Sequence, residues 1–315
     1  MAETRLPGPW CLGIDTSNYT TSAAGCDAEG RHRSLRTPIP VREGERGVRQ
    51  SDAVFHHVRQ LPPLVERLCA LYGEPPAAVA VSATPRDVED SYMPCFLAGL
   101  SVARSIAAAL DVSCHKLSHQ RGHVLAALLG CGRLDLIGQE HLALHISGGT
   151  TELLHVAGQA DGGGIITLLG GTADLNAGQL VDRCGLQLGL NFPCGPELER
   201  LAEGGQPTLK PMAFPTAREI HLSGLENRFT QLLQQAAPAD AALWVLRSLS
   251  AALVALVDSA IGEHPLPLVA AGGVLSNKLI RGELEQRYSA LSCGHDYAAD
   301  NACGVALFGA LQKGG

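Results

Sequence analysis

Short apolar runs and helix-spaced apolar positions take turns along the chain, and that alternation predicts its elements. Residues 10–14 form an apolar run that stops at Asp15-Thr16-Ser17. Residues 20–26 and 33–39 read as the next two strands. From 51 to 72, Val54, Val58, Leu61, Val65 and Leu68 recur at helical spacing. Pro62-Pro63 falls inside that stretch and predicts a kink or a split, because proline lacks the amide hydrogen that a helix interior uses. A strand at 77–82, a helix at 94–110, a strand at 112–117 and a helix at 119–129 follow. Strands alternating with helices predict a sheet covered by helices.

The scheme starts again at 142–147. One start reads Cys11-Leu12-Gly13-Ile14-Asp15-Thr16-Ser17, then Thr20-Thr21 and an apolar strand. The other reads Leu142-Ala143-Leu144-His145-Ile146-Ser147-Gly148-Gly149, then Thr150-Thr151 and a strand at 153–157. The likeness predicts a duplicated lobe. Helices at 176–188, 196–202, 222–235 and 241–261 come next. A buried strand at 266–271 leads into Gly272-Gly273-Val274, and Ser276-Asn277 opens another helix. Asp300 stands at the start of the last helix, 302–311, where a carboxylate suits the helix dipole and can act as an N-cap. Gly148-Gly149 reads equally as a plain hairpin turn or as a turn whose backbone amides hold phosphate oxygens. Gly272-Gly273 reads as a strand-to-helix turn, or as a place where a flat ligand such as an adenine approaches the backbone.

Composition narrows the class. A chain of 315 residues favours two domains or one large α/β unit. Apolar residues make up 46% and aromatics only 4%, so small aliphatic side chains build the interior. The net charge of -7 argues against broad nonspecific nucleic-acid binding. It leaves room for a local basic patch: Arg31, Arg33, Arg36, Arg42, Arg46 and Arg49 cluster before the first long helix, which reads equally as a solvated loop, and Arg218 and Arg228 are further candidates. No apolar run reads as long enough to cross a bilayer, and residues 1–9 lack the charged and apolar regions of a signal peptide. A cytoplasmic protein with no membrane partner is the expectation. The ten cysteines form no Cys-x-x-Cys pair and read as reduced core residues.

Candidate chemistry centres on His119-Gln120-Arg121-Gly122-His123. Histidines four apart lie one turn apart on one helix face, where two neutral imidazoles can grip a metal ion. The same spacing also suits histidines that merely cap or pack. Two ligands leave a site incomplete, and the candidate third is Asp300.

Several motifs then stand in one order. They are Gly-Ile-Asp-Thr-Ser at 13–17, His-Gln-Arg-Gly-His at 119–123, Ser-Gly-Gly-Thr-Thr at 147–151 and Asp174-Leu175-Asn176-Ala177-Gly178. Asp182-Arg183, Phe192-Pro193-Cys194-Gly195-Pro196 and Leu222-Ser223-Gly224-Leu225 follow, then Gly272-Gly273-Val274-Leu275-Ser276-Asn277 and Asp300-Asn301-Ala302. In this order they resemble the tRNA threonylcarbamoyladenosine transferase family, the Gcp-like proteins once called O-sialoglycoprotein endopeptidases. The resemblance spans residues 12–311 and marks a divergent member. It implies an α/β fold of two actin-like ATPase (ASKHA, RNase H-like) lobes with the active site in the cleft between them. Residues 1–140 would form the first lobe and 141–299 the second, with 300–315 packing back on the first. It implies that His119, His123 and Asp300 bind one divalent metal, iron or zinc, and that Ile146, Ser147, Gly148, Gly149, Thr150, Asp182, Gly195 and Asn277 hold threonylcarbamoyl-AMP or another adenylate. The implied acceptor is the adenine next to the anticodon of tRNA, and the implied protein partners are those of a tRNA-modifying complex.

The chain departs from the family pattern in several places. Thr150 replaces a histidine, Asn18-Tyr19-Thr20-Thr21 lacks two acids, Gln179 replaces a glutamate, and a Gly-Pro-Gly loop expected near 83–92 is absent. Two other readings follow: a carbamoyl or acyl transferase for a small-molecule acceptor, or a non-catalytic scaffold paralogue. Retention of the His, His, Asp set speaks against the scaffold. The chain has no His-Glu-x-x-His, so the peptidase label finds no support.

Overall fold

The computed structural model describes residues 8–40, 48–262, 266–293 and 301–312. In chain order the elements are β1 (Cys11–Thr16), β2 (Thr20–Cys26), β3 (His32–Pro38), α1 (Gln50–Tyr72), β4 (Ala78–Thr84), α2 (Phe96–Leu110), β5 (Ser113–Ser118) and α3 (His119–Gly130). Next come β6 (Glu140–Ile146), β7 (Thr151–Gly158), β8 (Gly164–Thr172), α4 (Ala177–Gln187), α5 (Gly195–Glu203), β9 (Glu219–Ile220), α6 (Ser223–Leu232) and α7 (Pro238–Asp258). The chain closes with β10 (Leu268–Ala271), α8 (Lys278–Tyr288), β11 (Leu291–Ser292) and α9 (Ala302–Leu311). They fall into two compact units. One holds the described parts of Met1–Gln139, Gly158–Gly164 and Asp300–Gly315, and the other those of Glu140–Ala157 and Ile165–Ala299.

The duplication expected from the two similar starts is present in the topology. The first sheet runs β3-β2-β1-β4-β5 and the second β11-β10-β6-β7-β8-β9. Read from β8 to β11, the second sheet repeats the first, with β9 added at its edge. In both, the first two strands pair antiparallel, and a four-residue turn separates the last partners, Thr16 with Thr21 and Ile146 with Thr151. In both, a later strand runs parallel to the first, β4 beside β1 and β10 beside β6. These are the two α/β lobes of the actin-like fold.

The first unit is packed from both sides of its sheet. α1 buries Ala53, His57, Leu61, Leu64, Leu68 and Tyr72, while Val58 is 59% exposed. Of the expected stripe, Leu61 and Leu68 are fully buried, Val54 and Val65 are half-buried, and only Val58 faces solvent. At the carboxyl end of α1 the Tyr72 ring stacks on Trp10 at 4.1 Å, and its hydroxyl donates to the Gly25 carbonyl at 2.5 Å. Helix α1 also runs unbroken through Pro62-Pro63. Both prolines are exposed, so the carbonyls they deprive of partners face water.

On the other face α9 lies against β1 and α3 at backbone distance. A Cβ on Gly13 would meet the Ala306 amide and the Ala302 carbonyl, and one on Gly304 would meet the Gly122 carbonyl. Glycines thus let three backbones approach where any side chain would hold them apart.

The second unit buries a larger core. Leu142, Leu144, Ile146 and Leu153 from its sheet meet Leu180, Phe229, Leu246, Leu249 and Leu253 from its helices. Helix α7 corrects one expectation. Its 21 residues are long and apolar enough to cross a membrane, yet 72% of its most apolar window is buried inside the protein, as suits a core helix. Strand β8 was not anticipated. Its Gly-Ile-Ile-Thr-Leu-Leu-Gly-Gly sequence does not alternate, and Ile165 and Leu168 are exposed.

Gly304→Val should lower stability by about 1–3 kcal/mol, the usual cost of overpacking. Gly132→Ala should cost less, because its Cβ would meet nothing within 4 Å and only its φ of 67° opposes a side chain. Denaturant titration of the two variants checks both the order and the size.

Candidate functional site

The described site residues fall into two clusters, one in each unit. In the first unit, β5 ends at Ser118, whose hydroxyl caps α3 by accepting from the Arg121 amide at 3.0 Å. That cap fixes His119 as the first residue of the helix and brings His123 onto the same face. Their Nε2 atoms stand 3.0 Å apart. On the far side of its ring, His119 Nδ1 lies 2.9 Å from Asp15 Oδ1. Asp15 comes from the carboxyl end of β1, where its side chain is almost wholly buried. Asn301, just before α9, places its Nδ2 3.0 Å from the His119 carbonyl, 3.3 Å from Asp15 Oδ1 and 2.7 Å from His119 Nδ1. Burial alone would raise the Asp15 pKa. The charge of His119 and hydrogen bonds from His119, Ser82 and Asn301 outweigh it and hold the carboxyl below its usual range.

The histidine pair fits a divalent ion. Two nitrogens about 2.1 Å from one ion and at right angles around it stand about 3.0 Å apart. Among the described residues no three His, Cys, Asp or Glu side chains gather as a ligand set. Asp15 cannot supply the third, because it faces the opposite ring nitrogen of His119. Asp300 lies outside the described residues.

Arg121 turns away from the histidines. Its guanidinium donates to the carbonyls of Gly162 and Gly164 at 3.1 and 2.9 Å, and pairs with Asp87 at 2.5 Å.

In the second unit Ile146 to Thr150 stand at the carboxyl end of β6 and Asn277 follows β10, while Asp182 and Gly195 belong to α4 and α5. Ile146 is the last residue of β6, and Ser147 to Thr150 form the turn that follows. The Ser147 amide donates to the Thr150 carbonyl at 2.7 Å. The Ser147 hydroxyl accepts from the amides of Gly149 and Thr150 at 3.3 and 3.1 Å. Among the described residues a Cβ on Gly148 or Gly149 would meet nothing within 4 Å, so with respect to them this turn is open on the side where those side chains would stand. Helix α4 starts against its back: the Gly178 amide donates to the Ser147 carbonyl at 3.1 Å, and a Cβ on Gly178 would lie 2.7 Å from Gly148 Cα. Gly272, with φ of 119°, presses on the Ile146 carbonyl so closely that only glycine fits. Gly273 beyond it is open.

Asp182 on α4 accepts from the Cys194 amide at 2.9 Å, which brings it beside Gly195 at the start of α5. Burial raises the Asp182 pKa, against that amide's pull. Asn277 is 8% exposed and caps α8 by accepting from the Ile280 amide at 3.1 Å. Glu199 of α5 accepts from the neighbouring Lys278 amide at 2.8 Å.

The departures have local explanations. Gln179 keeps a capping role, since its Oε1 accepts from the Asn176 amide at 3.2 Å. Asn18, beside the missing acids, accepts from Gln50 Nε2 at 2.6 Å, and Gln50 Oε1 accepts from the Cys95 amide at 3.2 Å. Sequence reasoning gave no role to Asp15 or Asn301. A carboxylate inside a strand that is otherwise small and apolar was the available signal, because such an acid needs a buried partner.

A family model for tRNA N6-adenosine threonylcarbamoyltransferase matches residues 34–307. A protein of that name from Bordetella avium is 32% identical over 87% of this chain and 82% of its own length. One from Methylibium petroleiphilum is 31% identical over 96% of this chain and 90% of its own. Among solved structures, component A of the (R)-2-hydroxyglutaryl-CoA dehydratase of Acidaminococcus fermentans shares the fold, with a TM-score of 0.57 at 15% identity. That alignment covers 96% of this chain and 98% of the other.

Asp174 yields a test of how the second cluster is held. It accepts from the amides of Leu175, Leu222 and Ser223 at 2.6, 2.8 and 3.2 Å and from the Ser223 hydroxyl at 2.5 Å. Burial opposes ionisation, but these donors take its pKa down to about 2. A lowered folded pKa stabilises above the unfolded value and is lost as pH falls through the folded one. Asp174→Ala should cost about 1–3 kcal/mol at pH 6. The difference from wild type should shrink between pH 4 and pH 2, as read by denaturant titration at each pH.

Proposed function

We propose that this chain, which belongs to the tRNA N6-adenosine threonylcarbamoyltransferase family, transfers a threonylcarbamoyl group to the N6 amine of an adenosine in tRNA. The donor in this reading is threonylcarbamoyl-AMP. The amine attacks the carbonyl carbon of the mixed anhydride, a C–N bond forms, the C–O bond to phosphate breaks, AMP leaves and the amine gives up one proton. The acceptor adenosine is the one next to the anticodon.

The observation that carries the site assignment is the histidine pair, two Nε2 atoms 3.0 Å apart with one ring held from behind by a buried carboxylate. His119 and His123 would hold one divalent ion, iron or zinc, with Asp300 as the third ligand. Such an ion supplies Lewis-acid stabilisation of negative charge developing on an acyl or phosphoryl oxygen. In the second unit the open turn at Gly148-Gly149 and the open Gly273 let a nucleotide approach the backbone. The amino end of α4, set directly behind that turn, favours phosphate through its dipole. Ile146, Ser147, Thr150, Asp182, Gly195 and Asn277 complete the donor set. Asn277 already spends its Oδ1 on the α8 cap, so its contribution to a ligand would come through its amide nitrogen. Partner proteins of a tRNA-modifying complex and a cytoplasmic location belong to the same reading.

Two measurements test it. AMP at 100 times its Kd should stabilise the protein by about 2.7 kcal/mol. Gly149→Val should reduce that shift by filling the open face of the turn. Calorimetry showing no adenylate binding by metal-loaded wild type would sink the donor site.

For catalysis, metal-loaded protein with threonylcarbamoyl-AMP and unmodified tRNA should yield the modified adenosine, alone or with the other proteins of the complex. His123→Ala should abolish the product. It is a cleaner variant than His119→Ala, which also leaves the buried Asp15 without its partner and should cost stability. Full product formation by a folded His123→Ala protein would refute the metal assignment, and transfer only to a small-molecule acceptor would refute tRNA.

A further inference from the structure

We propose that Asp15 is the positioning residue for His119: it fixes the imidazole as the tautomer with hydrogen on Nδ1, so that the Nε2 lone pair faces His123 and the ion they share. The proposal rests on the reading of His119 and His123 as metal ligands.

Three observations carry it. Asp15 Oδ1 stands 2.9 Å from Nδ1, while the His123 Nε2 contact is made by the opposite nitrogen. The two ends of the ring therefore have separate partners. Asp15 is 1% exposed, so water cannot substitute for the partner it has. Its strand is pinned on both sides, by β2 and β4, and α9 lies on Gly13 two residues before it. The carboxylate therefore has little freedom to follow a ring that turns.

The tautomer follows from donor and acceptor counting. An ionised carboxylate only accepts. The hydrogen it accepts is the one on Nδ1, 2.9 Å away, and a ring that carries its single hydrogen there leaves the Nε2 lone pair free on the His123 side. Asn301 Nδ2 lies 2.7 Å from the same ring nitrogen, which at first sight competes. Asn301 Nδ2, however, has two oxygens to donate to: Asp15 Oδ1 at 3.3 Å, which Nδ1 also faces, and the His119 carbonyl at 3.0 Å. Asn301 thus holds the carboxylate and the backbone of His119 together, while Asp15 holds the ring. Reversing the amide would set its oxygen against the His119 carbonyl oxygen.

The alternative roles make different predictions. A third metal ligand would have to reach Nε2's side of the ring, which Asp15 does not. A purely structural ion pair would affect folding and leave the intrinsic affinity for metal unchanged in whatever protein remains folded. A carboxylate behind a ligating imidazole instead sets its orientation and basicity, and its loss lowers metal affinity about 10- to 100-fold.

The test uses the full chain with ¹⁵N-labelled histidine, stripped of metal and then titrated with Zn²⁺ against a chromophoric chelator. In the metal-free wild type, nitrogen–carbon-bound-proton correlation spectra should show neutral His119 protonated at Nδ1. Asp15→Asn, which keeps shape and one acceptor but no charge, should weaken Zn²⁺ binding about 10-fold, and Asp15→Leu about 100-fold, with His119 moving toward the Nε2–H form. His123→Ala should also lose Zn²⁺ affinity while leaving His119 in the Nδ1–H form. If Asp15→Leu fails to fold, Asp15→Asn and the wild-type spectrum decide. A wild-type His119 protonated at Nε2, or wild-type Zn²⁺ affinity in folded Asp15→Asn, would overturn the proposal. Failure of the wild type to bind Zn²⁺ would instead count against the ligand assignment, and the tautomer of the metal-free protein would still judge Asp15.

Discussion

An ionised carboxylate buried at the end of a central strand must be answered by donors, and the first unit is arranged around that demand. Asp15 sits among side chains that give it no water. Its donors arrive on two separate helices, His119 at the start of α3 and Asn301 before α9. Both can reach it only because Gly13, Gly122 and Gly304 let α9 settle on β1 and α3 at backbone distance. Removing one partner of such a buried pair typically costs about 3–5 kcal/mol. The packing and the chemistry of this unit are therefore coupled: the contacts that stabilise α9 also orient the histidine.

The second unit repeats the sheet and changes the chemistry at its end. Where the first unit has Asp15 one residue before the turn, the matching register position in β6 is His145. Where the first turn carries Asn18 and Tyr19, the second carries Gly148 and Gly149, with nothing near their missing side chains. One copy of the fold presents imidazoles held by a carboxylate, which suit a cation. The other presents a glycine turn backed by the amino end of α4, whose dipole suits an anion such as a phosphate. The two units thus share one sheet order and differ in the side chains at the ends of their first strands.

Much of this was legible in the sequence, because the periods of 2 and 3.6 survive in the buried segments. β2 and α9 fall where the pattern put them, and Asn277 opens a helix as Ser276-Asn277 implied. What failed did so for physical reasons. Of the expected α1 stripe only Val58 stands in solvent, because the buried face also takes in Ala53, His57 and Leu64 beside Leu61 and Leu68. Pro62-Pro63 did not break α1 because the face they occupy is wet. β8 escaped notice because neither of its faces is fully buried, so no alternation was imposed on it. In the site, His119 and His123 were visible through their spacing, whereas Asp15 and Asn301 were not, because their meeting joins residues 286 positions apart. The family motifs contain both residues, but a motif records presence, and only packing assigns a partner.

In the reading proposed above, this chain modifies tRNA adenosine through a site built on its paired histidines. The most direct measurement is complementation of a cell lacking its own transferase, scored by mass spectrometry of the nucleosides from its tRNA. Wild-type protein should restore N6-threonylcarbamoyladenosine, and His123→Ala at equal abundance should not. Absence of the modified nucleoside in cells that make folded wild-type protein with the partner proteins of the complex, or equal restoration by both forms, would contradict the account.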